Sequence, residues 1–239
     1  LLANRWLGSD AHFASVGLGD ASGASGVPWG RAVEMVIAIG ISGEAYVLTD
    51  LTVTPGTSLA GEPRDRVLAG SARPLELDED AYALLALSRA VLMAGGLECA
   101  LSLSLEYVNE REQFGRPISK FQAIQHHMAV MAAETAAAIR AADAGLAGIG
   151  SPRMLEEVAA AKARVGEAVG VVAELAHQVH GAMGYTHEHQ LHHTTRRLWA
   201  WRDEYGTERV WQERLGRMLA GRVAADGDDS LWAFIASRG

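Results

Sequence analysis

The stretch YVNEREQFGRPISKFQ, Tyr107 to Gln122, decides how this 239-residue chain reads. It ends one amphipathic segment and begins another through a short, charged turn, with Gly115 and Pro117 as the breaking residues. Upstream, Leu84, Leu87, Val91, Ala94, Leu101 and Leu105 follow helical spacing. Asp78 is the expected N-cap, and Glu79 and Asp80 favour the dipole of the first turn. Gly95-Gly96 is expected to interrupt that helix and to admit another helix closely. Downstream, Ser119 with Gln122 three residues later reads as a capping box. Phe121, Ile124, Met128, Met131 and Ile139 form the apolar face that follows.

Further signals complete the helical part. Ser151-Pro152 reads as a cap followed by proline at the first helical position. Val158, Val165, Val169, Val172, Leu175 and Val179 line the helix that ends at Gly181 to Gly184. A shorter helix is expected over Leu191 to Arg202. A last one is expected over Thr207 to Val223, with Val210, Trp211, Leu215, Met218 and Leu219 inward. Long helices joined by short turns predict an up-and-down bundle.

The first 74 residues differ in composition, being rich in Gly, Ser, Thr, Val and Ile. Val33 to Ile41 and Glu44 to Val53 read as strands joined by a Ser42-Gly43 hairpin. Gly17 to Gly26 reads as a loop, and Leu1 to Leu7 as the end of an earlier helix. The expected fold class is mainly α: a C-terminal up-and-down four-helix bundle preceded by a partial β domain. The expected divisions are 1–76 for the β part, 77–225 for the bundle and 226–239 for a tail in which Leu231, Trp232 and Phe234 could dock on a partner.

A net charge of −8 argues against nucleic acid or an anionic membrane as the main partner. No apolar run reaches the roughly 18 residues of a membrane span, no signal peptide is visible, and a cytoplasmic protein is expected. The single cysteine, Cys99, lies in an apolar pattern and is expected to be buried and inert. His189 and His193, four residues apart among six crowded histidines, could chelate zinc with Glu188. Rings that need not converge are the plainer reading, and no metal is assigned. For Arg196, Arg197 and Arg202, ion pairing with Asp203, Glu204 and Glu208 is the plainer reading than a phosphate role. Arg111 could cap helix carbonyls or fork onto a pyrophosphate, and Phe114 could press on a ring. The residues alone leave both open.

YVNEREQFGRPISKFQAIQ resembles the signature loop of the acyl-CoA dehydrogenase family. QVHGAMGYTHEHQLHHTTRRLWAWRDEYGT, Gln178 to Thr207, is similar to a second block of that family, in the expected order and without gaps before its Gly-Thr. The resemblance covers roughly Asp78 to Val223 well and the β part loosely. It implies that Arg111, Gln113 and Phe114 hold the adenine dinucleotide half of FAD across a dimer interface. Ile118, Phe121 and Ile124 would add apolar contacts. Gln178, Val179 and Ala182 would admit backbone to the same cofactor, and Thr207 would contact it from the start of the last helix. It further implies an acyl-CoA substrate and electron transfer to an electron-transfer flavoprotein.

The family's reaction needs a carboxylate to take the α-proton of the thioester, usually a glutamate directly before the Gly-Thr. Here that position is Tyr205, whose ordinary pKa near 10 leaves little phenolate. Glu204, one residue earlier, is rotated by about 100° on a helix. An alternative base position falls near Leu85, and no carboxylate occurs between Tyr82 and Leu97. The family's Thr-Glu-Pro and Gly-Ser-Asp segment is lacking, with only Gly8-Ser9-Asp10 as a fragment. The chain therefore resembles the degenerate subunit of a heteromeric acyl-CoA dehydrogenase, with a homologous partner carrying the base. A self-sufficient enzyme using Glu204 or Tyr205, and a structural subunit without flavin, are the competing readings.

Overall fold

A computed structural model describes residues 14–77 and 80–226, together with 232 and 236. It forms two compact units divided between Leu85 and Ala86. The expected helix at Leu1 to Leu7, the Gly8-Ser9-Asp10 fragment, the Asp78 cap and the docking residues Leu231 and Phe234 lie outside the described residues.

The first unit is a barrel of five strands: β1 (Ala14–Asp20), β2 (Gly23–Pro28), β3 (Met35–Ile39), β4 (Ala45–Thr54) and β5 (Arg64–Pro74). They close in the order β1-β2-β5-β4-β3, with β1 and β3 parallel and the other pairs antiparallel. Val27, Val36, Ala38, Leu48 and Val67 fill the centre. The β3–β4 hairpin forms where Ser42-Gly43 predicted it, with Gly43 at a φ of 101° and the Gly40 N–H donating to the Glu44 carbonyl at 2.8 Å.

Gly17 to Gly26 is not a loop: it supplies most of β1 and β2. Gly17, Gly19 and Gly23 are there for proximity. A Cβ on Gly19 would lie 2.0 Å from the Gly23 carbonyl oxygen, and one on Gly17 would lie 2.7 Å from a Val27 methyl. A low strand propensity is overridden because only hydrogen side chains let these strands meet. Gly19→Ala should therefore cost about 2 kcal/mol through strand separation, read as a lower urea midpoint with an unchanged slope.

The second unit is built from helices. α1 (Ala81–Glu110) runs on from the first unit and is followed by α2 (Gln122–Ala147), α3 (Met154–His180), α4 (Leu191–Asp203) and α5 (Glu208–Asp226). α1 is capped by Asp80, whose Oδ1 accepts the Ala83 N–H at 2.8 Å. It is continuous through Gly95-Gly96. Gly96 still does the second thing expected of it: a Cβ there would lie 2.8 Å from Leu198 Cδ2, so α4 packs directly on bare backbone. α3 is the central rod, with Val158, Val165, Val169 and Val172 fully buried. Met93, Leu97, Met131, Leu191 and Leu198 meet in the same core.

Several expected details are displaced. The Ser119–Gln122 capping box does not form, because a 3-10 turn at Ile118–Lys120 intervenes and α2 begins at Gln122 with Phe121 as its cap residue. Gln125 instead donates to the Ser119 carbonyl at 3.0 Å. Ser151 accepts from the Arg153 N–H at 3.2 Å, and α3 starts at Met154 rather than at Pro152. Leu105 and Val210 are exposed. Cys99 is also exposed rather than buried, with its sulfur 3.7 Å from Thr194 Oγ1. It occupies the face of α1 turned away from the Met93–Leu97–Ala100 stripe, which the long alanine-rich pattern obscured. α1 is also long and apolar enough to satisfy the criteria for a membrane-spanning helix, contrary to the sequence expectation, and half of its most apolar stretch is buried inside the protein.

Candidate functional site

After α1, Glu112–Gln113 pairs antiparallel with Arg116–Pro117, leaving Phe114-Gly115 as a two-residue hairpin loop. Both loop residues have positive φ, 53° and 75°, the requirement of the turn that matches strand twist. For phenylalanine this left-handed backbone costs on the order of 1–2 kcal/mol. The consequence is projection: Phe114 is 92% exposed, touching Phe121 edge-on at 6.1 Å between centroids. The hairpin is tied back through the Ile118 N–H, which donates to the Arg111 carbonyl at 2.8 Å. Arg116 stacks its guanidinium 4.4 Å from the Phe121 ring centre.

This hairpin forms one wall of an open cavity of about 430 Å³. The opposite wall is the end of α3 and the turn beyond it. Arg111, Gln113, Phe114, Ile118, Phe121, Ile124, Gln178, Val179 and Ala182 all line it, so nine of the ten residues expected at a cofactor share one groove. Thr207 is not among them. It stands before α5, where its carbonyl accepts the Trp211 N–H at 3.2 Å. Tyr107, His180 and Met183 complete the groove. Sequence reading missed these three as a wall, although Tyr107 opens the signature stretch and His180 lies within the second block. The Tyr107 ring stacks on His180 at 4.4 Å, and its hydroxyl donates to the His180 carbonyl at 3.3 Å.

The groove suits part of an anionic aromatic ligand. It offers an exposed benzyl ring, apolar floor residues and an exposed guanidinium. Gly181 and Ala182 add little bulk to the opposite wall. An isolated, exposed phenylalanine in strained backbone is unfavourable unless something covers it.

The turn between α4 and α5 holds the candidate base position. Tyr205 has a φ of 57° and is buried, with the Arg89 guanidinium 5.1 Å from its ring centre. Its carbonyl accepts the Trp211 indole N–H at 2.8 Å. Glu204 is ion-paired with Arg89 of α1. Arg202 pairs with Glu208, with Nε to Oε2 at 2.8 Å, as the plainer reading of the arginines expected. The bond holds Glu208 below the usual carboxylate range.

A buried lysine fixes the whole turn. Lys162 of α3 is fully buried, and its ammonium donates to the carbonyls of Arg202 and Gly206, each at 2.7 Å, and more distantly to Trp201 at 3.5 Å. It thus satisfies carbonyls at the C-terminal end of α4 that have no helical partner. Burial pulls its pKa down to about 8, against the opposing pull of Glu208, Asp203 and Glu204. Nothing in the motif reading pointed to it. The available signal was its spacing: residue 162 sits between Val158 and Val165 on the apolar stripe of α3.

The histidines pack against one another and against tyrosine rings. His180 meets His189 edge-on at 4.7 Å, His177 stacks on Tyr185 at 4.3 Å, and His192 lies 3.9 Å from His193. Among the described residues no three potential ligands converge as a metal site would require.

A barrel unit precedes the helical unit in the chain, and the helical unit carries both this hairpin groove and an Arg-Arg to Gly-Thr turn. The profile of the acyl-CoA dehydrogenase C-terminal domain matches residues 81–220, and the chain belongs to the acyl-CoA dehydrogenase family. A 3-sulfinopropanoyl-CoA desulfinase of Paraburkholderia xenovorans (strain LB400) is 31% identical over 197 residues, 81% of this chain and 49% of that protein. Glutaryl-CoA dehydrogenase of Desulfococcus multivorans is 34% identical over 154 residues, 63% of this chain and 36% of that protein. The ChsE4-ChsE5 complex of Mycobacterium tuberculosis superposes with a TM-score of 0.76 at 23% identity, over 87% of this chain and 62% of that one. The chain thus spans about half the length of the desulfinase and under two thirds of the other two proteins.

Proposed function

We propose that this chain is a subunit of an acyl-CoA dehydrogenase-type flavoprotein that contributes FAD contacts to a homologous catalytic partner. One observation carries the reading: Arg111, Gln113 and Phe114 converge with Gln178 to Ala182 on a single exposed groove, while Tyr205 holds the position where a base would stand. Bound FAD supplies the hydride acceptor for oxidation of an acyl-CoA thioester. In the groove, Arg111 neutralises diphosphate charge and Gln113 offers a neutral donor and acceptor. Phe114, Ile118, Phe121 and Ile124 shield the ligand from water. A cavity of about 430 Å³ holds part of a dinucleotide, and a neighbouring subunit closes over the rest. The pairing of two differently named chains in the ChsE4-ChsE5 complex supports a heteromeric assembly. Electrons leave to an electron-transfer flavoprotein, and the assembly works in the cytoplasm.

The alternative base is already engaged. Glu204 lies against Arg89, which draws its carboxylate into an internal ion pair. Glu204→Gln should leave turnover of the partner-containing assembly within about twofold. Loss of turnover by two orders of magnitude or more, the scale of a removed general base, would transfer the base to this chain. Flavin absorbance in the purified assembly that disappears with Arg111→Ala separates this reading from a flavin-free structural subunit.

A further inference from the structure

One wall of the groove belongs to a longer connector, 177–193, that carries six histidines. Three of its ring nitrogens are buried without a hydrogen-bond partner: His177 Nδ1, His180 Nε2 and His192 Nε2. His180 is 2% exposed and donates from Nδ1 to the Ala176 carbonyl at 2.7 Å, which leaves its buried Nε2 without a hydrogen-bond partner. Tyr107 of α1 covers one face of that ring and His189 abuts it. His177 lies one turn earlier on α3, with Nε2 2.9 Å from Thr195 Oγ1 of α4. His192 meets both His193 and, at 5.6 Å, His187.

We propose that this connector is an acid-operated wall: when its buried imidazoles, those of His177, His180 and His192, take up protons, residues 177–193 loosen, and the side of the groove formed by Gln178 to Met183 comes apart. Charging these rings places cations against one another in a packed space. Burial holds His180 below its ordinary value, aided by His189 and His177. The Ala176 carbonyl bond and the Leu103 carbonyl of α1 oppose this and are outweighed. Burial likewise lowers His177, with His192 and His189 adding to it. His192 is lowered by burial and then by His193, His187, Arg196 and His189. Folded-state values depressed below 6.5 mean that the unfolded connector binds more protons. Its stability is therefore complete above pH 6.5 and is lost as the pH falls through that value toward the folded-state ones. The consequence for cofactor retention rests on the function proposed above, whereas the loosening does not.

Hydrogen exchange of the chain in its native assembly, at pH 7.5 and 5.5 and corrected for intrinsic rates, tests this. Peptides covering 177–193 should lose protection at least tenfold at pH 5.5, while those of α2 hold theirs. His180→Phe keeps the stack on Tyr107 but cannot be charged, and should make the loss at least threefold smaller than in the native chain. His193→Ala, at an exposed position, should roughly halve it. Unchanged protection in the native chain, or a full loss in His180→Phe, overturns the proposal. If His180→Phe does not fold, the His193→Ala result decides it in the same two directions. FAD fluorescence measured in parallel keeps the two ideas apart. Connector loosening in an assembly that never binds FAD at pH 7.5 refutes the cofactor reading and leaves the acid-operated wall standing.

Discussion

Replacing Lys162 with methionine is expected to lower the unfolding free energy by about 3 kcal/mol, measured by urea denaturation at pH 7. Methionine fills similar space, so the cost does not come from a cavity. It comes from the carbonyls of Arg202 and Gly206, which lose their charged donor, and from Trp201, which loses a weaker one. A buried charge is expensive, and removing it returns some stability. The orphaned acceptors, together with the lost attraction to the nearby carboxylates of Glu208, Asp203 and Glu204, weigh more. The pH dependence gives an independent check. The folded pKa of about 8 lies below the 10.5 of a free lysine, so between those values the unfolded chain holds a proton that the folded chain has released. Lys162 must therefore contribute rising stability from pH 8 to 10.5, and that rise should vanish in the methionine variant. A variant as stable as the native chain would mean that the α4–α5 turn is held by Trp211 and the Arg202–Glu208 pair alone.

Arg111→Ala should weaken flavin binding by the assembly about 30- to 100-fold, the worth of one charge-assisted contact to a phosphate. Titration of FAD into the stripped assembly reads this directly. Thermal stability of the chain itself should move little, because Arg111 is exposed and the hairpin is secured through its backbone carbonyl, which alanine retains. That separation of binding from stability is the signature of a ligand-facing residue. An unchanged affinity would send the cofactor elsewhere and leave the groove without the role proposed for it.

The helices were legible because their apolar periodicity is long and their breakers are strong, as at Gly181 and Gly115. The groove was legible because two motif blocks far apart in sequence name residues that the bundle then brings together. The strands β1 and β2 were not legible. Their glycines carry no strand signal and make sense only once Gly23 and Val27 stand against them. Lys162 was overlooked for a related reason, since a lysine in an alanine-rich helix usually faces water. Only its register with Val158 and Val165 betrays an inward position. Cys99 shows the converse error, in which an apolar neighbourhood in sequence suggested burial although the residue lies on the outer side of α1.

The placement of Lys162 and Gln178 on one continuous helix has a mechanical corollary. Sixteen residues of α3 separate them, about 24 Å at ~1.5 Å per residue. The groove end of the rod and the point that anchors the tyrosine turn are thus held apart by a rigid spacer. Under the function proposed above, the groove and the tyrosine turn of one chain would serve separate reaction centres of an oligomer. Injuries at Arg111 in one chain and at the corresponding turn in another would then fall in different centres, and a mixed assembly could regain some function that neither damaged assembly has alone.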